Sequence, residues 1–348
     1  MIKKIISLIL TLSLLCSTAV IFSACSGVGS KDFPLTIGDV TIKSEPKNIV
    51  VLNDNFADIV SYIGYDVKMV GKGYGCDQEF LKIVPSVGTA DNPSIDTITS
   101  YETDLVIADE TLSQKSRDKL SEAGVTVVSF SNAETMDDLK TLYSNLGTVI
   151  GGKVTGKEKG EEAYDDLINT LSSFKKTVSG VVKTQAYLYI DERGALCTFP
   201  KGSMAAQFFS YTGALNTFSN QEDELVVTEQ LKMGTPTYIF YDDEKVLEYL
   251  RNDEALSKLT ALSSGRTYQV PLKNFSRQGT TIFDTVYNMI NVMFVQSEAT
   301  PDEETEAETE EVTEPQTEAE TEAQDTDSDD DSSAEQFDES EEYLDTDE

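Results

Sequence analysis

The feature that most constrains the fold is an alternation of short β-branched runs with segments of helical period. Runs that look like buried strands lie at residues 49–52, 67–70, 105–108 and 125–128. Between the first two, apolar residues spaced three and four apart share one helical face that ends at Gly64. This order is typical of βαβ units and parallel sheets, so we expect an α/β lobe of four strands over residues 40–152.

A long helix is predicted to separate this lobe from a second one. After Gly151 and Gly152, apolar residues recur at intervals of three and four through a charged stretch, which predicts one amphipathic helix over residues 153–180. Strand-like segments follow at 187–190, 238–241 and 268–270, and a helical pattern at 283–294. We therefore expect a second α/β lobe over residues 181–296. The fold class is α/β, with mostly parallel sheets in two lobes that a single long interdomain helix joins as a rigid strut.

The N-terminus has the layout of an export signal. Residues 1–24 combine a basic start, an apolar run too short to cross a membrane, and small residues at the end. The segment Phe-Ser-Ala-Cys at 22–25 resembles a bacterial lipobox, in which the cysteine is lipidated and becomes the mature N-terminus. We therefore predict a lipoprotein signal peptide over 1–24, a lipid anchor at Cys25 and a lipidated, flexible tether over residues 25–39. The alternative is cleavage after Ala24 and release without a lipid.

Negative charge is concentrated at the C-terminus. Residues 298–348 contain 25 acidic and no basic residues, whereas the body between the signal and this segment has 37 acids against 25 bases. Such a composition buries too little apolar surface to offset chain entropy, so we expect a disordered acidic tail over residues 297–348. A solubilising spacer is a better interpretation than a calcium site, because the glycine and ligand spacing of a calcium loop are absent. The formal charge of −35 also argues against nucleic-acid binding.

The sequence contains no histidine and no tryptophan. Without an imidazole there is no Ser-His-Asp or Cys-His couple and no His-rich metal cage, and no nucleophile stands beside an evident base. We therefore expect a binding protein and not an enzyme, with no catalytic residue, no metal ligand and no cofactor.

One acidic residue in each lobe occupies an equivalent position. Asp96 and Glu229 each lie nine residues before a predicted strand, in what reads as the first turn of a short helix. Helix capping explains either acid alone, because the helix dipole favours negative charge there. Equivalent placement in two lobes indicates a second role, a pair of exposed carboxylates that meet paired cations on a partner.

At this point the chain resembles the substrate-binding lipoproteins of ABC importers for iron-siderophore, haem and cobalamin. The matching stretches lie, in order, at residues 46–52, 87–89, 95–107, 146–151, 213–216 and 227–240. The resemblance implies two α/β lobes joined by a rigid helix, a ligand cleft between them, and an acid on each lobe that docks onto arginines of the permease. It therefore assigns docking to Asp96 and Glu229, although the family usually has glutamate at the first position.

The same resemblance implies a ligand site in the loops after the strands, where open α/β sheets bind their ligands. Tyr74 and Arg277 lie in loops where family members place a ligand-contacting aromatic residue or arginine. Lys201 and Ser203 lie in a loop similar to the family's cleft-lining segment, and Asn53 follows the first predicted strand. For each of these residues, loop packing or simple surface exposure is the alternative.

A ferric siderophore is the expected ligand. Haem and cobalamin are the alternatives, and haem is disfavoured because its commonest iron ligand, histidine, is absent. A strongly anionic catecholate would need a basic patch, for which Arg193, Lys201 and Arg277 are the candidates. The expected partners are the chelate, an ABC permease with its ATPase, and the membrane through the lipid anchor of a monomer on the extracytoplasmic face. A surface lipoprotein with the same fold in a sensory or interaction role is the rival hypothesis.

Two cysteines remain in the body, Cys76 and Cys197. The predicted layout places them in different lobes, and an exported protein permits a disulfide. A bridge between the lobes and two free thiols are both compatible with the sequence.

Overall fold

The structure, a computed structural model, describes residues 31–295. The lipidation residue Cys25, the signal segment and the acidic segment lie outside the described residues. The described part begins with an antiparallel hairpin, β1 (Leu35–Ile37) and β2 (Val40–Ile42). The predicted tether extends to residue 39, but Leu35 is buried and Asp32 accepts hydrogen bonds from the backbone N–H groups of Val154 and Thr155. The folded body therefore starts before residue 40.

The first lobe is built on a sheet of four parallel strands, as the sequence predicts. They are β3 (Ile49–Val51), β4 (Met69–Lys72), β5 (Leu105–Ala108) and β6 (Thr126–Ser129), in the order β4-β3-β5-β6. The helices are α1 (Asp54–Tyr62), α2 (Ile95–Ser100), α3 (Gln114–Glu122) and α4 (Met136–Gly151). Strands β3 and β5 are almost wholly inaccessible to solvent, as expected of central strands with helices on both faces.

Helix α4 and the long helix α5 (Lys157–Val178) form a tight antiparallel hairpin through a π-helical turn, Gly152–Gly156. Glycines allow the two backbones to touch. A Cβ atom on Gly147 would lie 2.2 Å from the Gly156 carbonyl oxygen, and one on Gly160 would lie 2.2 Å from the Tyr143 carbonyl oxygen. The predicted strut of residues 153–180 therefore exists as α5, and its first part packs against the first lobe.

The second lobe contains a mixed sheet. Its strands are β7 (Thr184–Ile190), β8 (Leu196–Cys197), β9 (Leu215–Asn216), β10 (Tyr238–Tyr241) and β11 (Thr267–Gln269). Strands β9, β10 and β11 run parallel to β7 or to one another, and β8 runs antiparallel to β7. The helices are α6 (Met204–Ser210), α7 (Thr228–Gly234), α8 (Glu244–Asn252), α9 (Thr260–Ser263) and α10 (Thr280–Ile290).

The α/β prediction is confirmed, but α5 is not the only element that joins the lobes. Helix α10 packs against α1 of the first lobe and against α5, so one apolar core runs from the first sheet through these helices to the second. Separate apolar clusters cover the outer face of each sheet. Within residues 31–295, every helix is too short or too polar to cross a lipid bilayer.

Candidate functional site

A cavity opens at the carboxyl ends of β7, β10 and β11. It has a volume of about 910 Å³, within the range of sites for drug-sized ligands. Its position follows from the topology, because parallel strands that end side by side leave a crevice between the loops that follow them. The loops at 199–205 and 271–278 form its walls, and the second of these also contacts the first lobe.

Aromatic rings form the apolar wall of this cavity. Phe199 stacks on Tyr187 with ring centroids 4.3 Å apart, and Phe275 meets both rings edge to face at 4.7 and 5.0 Å. Phe199, Phe275 and Tyr189 line the cavity, while Tyr187 lies behind them with its hydroxyl donating to the Val270 carbonyl oxygen at 2.7 Å. Such a cluster holds its rings rigidly, and Phe199 and Phe275, each 3% exposed, form part of the apolar wall.

The charged part of the lining is mainly acidic. Glu224, Asp242 and Asp243 contribute carboxylates, and Lys273 contributes an ammonium group. Asp242 Oδ1 accepts from the Leu272 N–H at 2.7 Å, which ties the end of β10 to the loop after β11. Asp243 caps α8 by accepting from the Lys245 N–H at 2.9 Å. Burial and the nearby Glu224 carboxylate raise the pKa of the Tyr189 phenol.

The predicted ligand residue Arg277 lies where the two lobes meet. Its side chain is 5% exposed, and its guanidinium donates to Asp54 of α1 at 3.1 Å and to Asp77 in the loop after β4. Burial opposes the charged form, but these two carboxylates raise the pKa of Arg277 overall. For Asp77, burial alone would raise the carboxyl pKa, and the cations of Lys273 and Arg277 lower it. Ligand contact by Arg277 stays a prediction.

The next residue, Gln278, fixes the cavity against the first lobe. Its backbone N–H donates to Asn55 Oδ1 at 2.8 Å, and its side-chain oxygen accepts from Asn55 Nδ2 at 3.1 Å. The Tyr143 hydroxyl donates to its carbonyl oxygen at 2.6 Å. Gln278 also lines the cavity, so the residue that makes these interlobe hydrogen bonds is itself part of the cavity wall.

Asp58 of α1 makes a second interlobe contact. It is fully buried and accepts hydrogen bonds from the Gly279 N–H at 2.8 Å and from the Thr281 N–H and hydroxyl. These groups open α10, so the carboxyl occupies the positive end of that helix. Desolvation nevertheless dominates and raises its pKa from 3.8 to about 6.

On the first lobe, Asn53 joins three loops at the carboxyl ends of the strands. Its Oδ1 accepts from the Phe56 N–H and caps α1, while its Nδ2 donates to Asp109 at 2.6 Å. Nδ2 also lies 3.5 Å from Asn132 Oδ1. Burial would raise the Asp109 carboxyl pKa, but hydrogen bonds from Thr111 and Asn53 lower it overall. This bonding explains Asn53 structurally, and ligand contact by it stays a prediction.

The other predicted ligand residues differ in placement. Ser203 lines the cavity and caps α6 through the Ala206 N–H. Lys201 lies in the same loop, half exposed, and is paired with Glu222 at 3.4 Å. Tyr74 is 75% exposed in the loop that carries Asp77, at the interlobe edge. Ligand contact by each stays a prediction.

Both predicted docking acids lie in first helical turns. Asp96 follows the N-cap Ser94 of α2, and Glu229 follows Thr228, the first residue of α7. Val227 is the N-cap of α7, and no side chain makes a capping hydrogen bond there, although the sequence places Thr228 near the cap. Glu229 is exposed and accepts from Lys232 at 2.7 Å. Docking itself stays a prediction.

The cysteines Cys76 and Cys197 are free and buried, in different lobes. Burial raises the pKa of the Cys76 thiol to about 12, so this thiol is unreactive at neutral pH. Of the two alternatives, the structure shows free thiols.

The sequence profile of the periplasmic binding proteins matches residues 49–273. The chain belongs to this family. Two relatives come from Bacillus subtilis (strain 168). The ABC transporter substrate-binding lipoprotein YvrC is 23% identical over 273 residues, covering 75% of this chain and 86% of its own. The Fe(3+)-citrate-binding protein YfmC is 23% identical over 257 residues, covering 69% and 78%.

Solved structures agree with the two-lobe architecture. The iron uptake ABC transporter substrate-binding protein PiuA from Streptococcus pneumoniae Canada MDR_19A matches with a TM-score of 0.53 and 20% identity, covering 77% of this chain and 99% of its own. At this identity the similarity shows a shared fold. The predicted family resemblance is confirmed, and the relatives named are solute-binding transport proteins.

Sequence reasoning missed several of the residues that determine the lining and the charge of the cavity. Phe199 and Glu224 follow irregular segments, and nothing in the local sequence marks them as cavity residues. Asp242 was not missed, because it directly follows the strongly apolar strand β10, in one of the strand-end loops where the sequence predicts the ligand site. Gln278 had no such local signal, since its first-lobe partners Asn55 and Tyr143 are more than 100 residues away in sequence.

Proposed function

We propose that this chain is a lipid-anchored receptor on the extracytoplasmic face of the cell membrane that captures a ferric siderophore and delivers it to an ABC permease. The observation that carries the proposal is the cavity of about 910 Å³ at the strand ends, walled by Phe199 and Phe275 and supplied with a few polar groups. A metal chelate is bulky, and a wide cavity with rigid apolar walls and a few polar groups can enclose it.

Delivery in this proposal uses the exposed acids Asp96 and Glu229. Each lies in the first turn of a helix at the lobe surface, where an arginine of the permease can reach it. The anchor in this proposal is a lipid on Cys25. Family membership and the naming of YvrC as an ABC transporter lipoprotein support both parts.

The chain has no catalytic part in this proposal. The chemistry of transport belongs to the partner ATPase, and this chain holds the chelate and releases it. YfmC is named for ferric citrate and PiuA for iron uptake, which supports an iron chelate as the cargo.

The test is calorimetric titration of the mature chain with a panel of ferric siderophores, ferric citrate, haem and cobalamin. We expect a siderophore to bind with a micromolar or lower dissociation constant. The variant Ala205→Trp places a large ring in the cavity, because Ala205 lines it, and should abolish this binding. Val182→Trp is the matched control, since Val182 is 81% exposed away from the cavity. No binding by any panel member would refute the proposal.

A further inference from the structure

The charge of the cavity restricts which chelates it can hold. Among the described residues that line it, three carboxylates, those of Glu224, Asp242 and Asp243, face one ammonium group, that of Lys273. Asp243 has a second cation nearby, since Lys245 Nζ lies 3.7 Å from its Oδ2, but that lysine is 76% exposed. Neither Glu224 nor Asp242 forms a salt bridge with any residue in the described range 31–295.

The cations around the cavity are already neutralised. Each basic side chain that could receive an anion has a carboxylate partner: Lys273 with Asp77, Arg277 with Asp54 and Asp77, Lys201 with Glu222, and Arg193 with Asp191. Arg277 is the most buried of them, and it is held between two acids. The basic patch that an anionic chelate needs is therefore not formed by Arg193, Lys201 or Arg277.

The consequence follows from the charges around the cavity, where Glu224 is exposed and Asp242 is half-buried. An anionic chelate would approach these two carboxylates, and within residues 31–295 the nearby cations are already paired with other carboxylates. A neutral chelate meets no such repulsion, and a cationic one is attracted by the carboxylates.

We infer that the cavity selects neutral or cationic ferric chelates, of which ferric trihydroxamates are the natural class, and rejects anionic ones. Three hydroxamate anions balance the charge of ferric iron, and a pendant ammonium group makes such a complex cationic. A tris-catecholate or a citrate complex retains net negative charge. The inference rests on the proposed function, and it separates this chain from YfmC, which is named for ferric citrate.

The experiment compares four probes on the mature chain with its acidic segment intact. They are ferrioxamine B, which is cationic, ferrichrome, which is neutral, and ferric enterobactin and ferric citrate, which are anionic. We expect the first two to bind at least about tenfold more tightly than the last two. Raising the NaCl concentration from about 20 to about 300 mM should weaken ferrioxamine B binding and leave ferrichrome binding unchanged, because salt screens charge.

A charge-neutralising variant tests the assignment to this cavity. Glu224→Gln should weaken ferrioxamine B binding about threefold to tenfold and change ferrichrome affinity less than about twofold. The retained ferrichrome binding shows that the variant is folded. Glu122→Gln is the matched control, because Glu122 is an exposed acid at the end of α3 in the first lobe, is not part of the cavity lining, and should change neither affinity.

The outcomes separate the two proposals. Tighter binding of enterobactin or citrate complexes than of the trihydroxamates overturns the inference and leaves the receptor function standing. Equal effects of Glu224→Gln on cationic and neutral probes also overturn it, because charge would then not be the cause. Failure of every probe to bind, with haem and cobalamin included, refutes the receptor function and the inference with it.

Discussion

Replacement of Arg277 by methionine tests how the lobes are held together. The side chain is 5% exposed and donates to Asp54, to Asp77 and, at 3.1 Å, to the Gly75 carbonyl oxygen. A buried hydrogen bond to a charged group contributes about 1.5–3 kcal/mol. The Asp54 and Asp77 side chains are 34% and 54% exposed, so water solvates them after the change and the loss is smaller than the sum.

We therefore expect Arg277→Met to lower the free energy of unfolding by about 2–4 kcal/mol. For a body of this size, the thermal midpoint should fall by about 4–12 °C. The assay is urea unfolding followed by circular dichroism, with calorimetry for the midpoint.

Arg193→Met is the matched control for this prediction. Arg193 also pairs with an aspartate, Asp191 at 2.6 Å, but its side chain is 76% exposed, so the midpoint should not change measurably. If Arg277→Met costs no more stability than Arg193→Met, the interlobe ion pairs do not stabilise the fold and the reasoning is refuted.

Three further predictions use other parts of the molecule. The pKa of Asp58 is raised, so the folded protein holds this proton more tightly than the unfolded chain does. The protonated carboxyl therefore stabilises the fold most below about pH 4, and this contribution is lost as the pH rises through about 6. The unfolding free energy of the wild type minus that of Asp58→Asn should thus fall by about 2–3 kcal/mol from pH 4 to 7 in urea titrations, and a difference that stays constant or grows would contradict this. Gly160→Ala should lower the free energy of unfolding by about 1–3 kcal/mol, because the new Cβ would meet the Tyr143 carbonyl. Gly180→Ala is the control and should be nearly neutral, since there is open space around Gly180. Equal losses of stability in the two variants would contradict the close helix contact. Glu229→Ala should leave chelate affinity unchanged and lower uptake of radioactive iron by cells, and unchanged uptake would remove its docking role.

The sequence predicted the strands that are buried on both faces and misplaced those that are not. Strands β5 and β10 match the predicted bounds. Each is an uninterrupted apolar run that is buried along its whole length, so the ends of the run mark the ends of the strand. Strand β4 begins two residues later than predicted, since a 3-10 turn occupies Asp66–Lys68. The hairpin of β1 and β2 was missed because its short strands are only partly buried and lack the continuous apolar run that marks β3.

The candidate site was predictable in location but not in charge. The rule that ligands bind beyond strand ends led to the loops that hold Ser203 and Asp242. The pairing of Arg277 with Asp54 and Asp77 joins residues about 200 positions apart, and no local pattern reports such a contact. Likewise, the contact between Asp58 and the start of α10, the second helix that joins the lobes, links residues more than 200 positions apart, and no local pattern predicts it.

The most direct test of the central claim is anomalous diffraction at the iron edge from crystals of the mature chain grown with ferrioxamine B. The account predicts one strong iron peak inside the cavity, between the rings of Phe199 and Phe275 and the carboxylates of Glu224 and Asp242. An iron peak elsewhere on the molecule, or an empty cavity at saturating chelate, would contradict it.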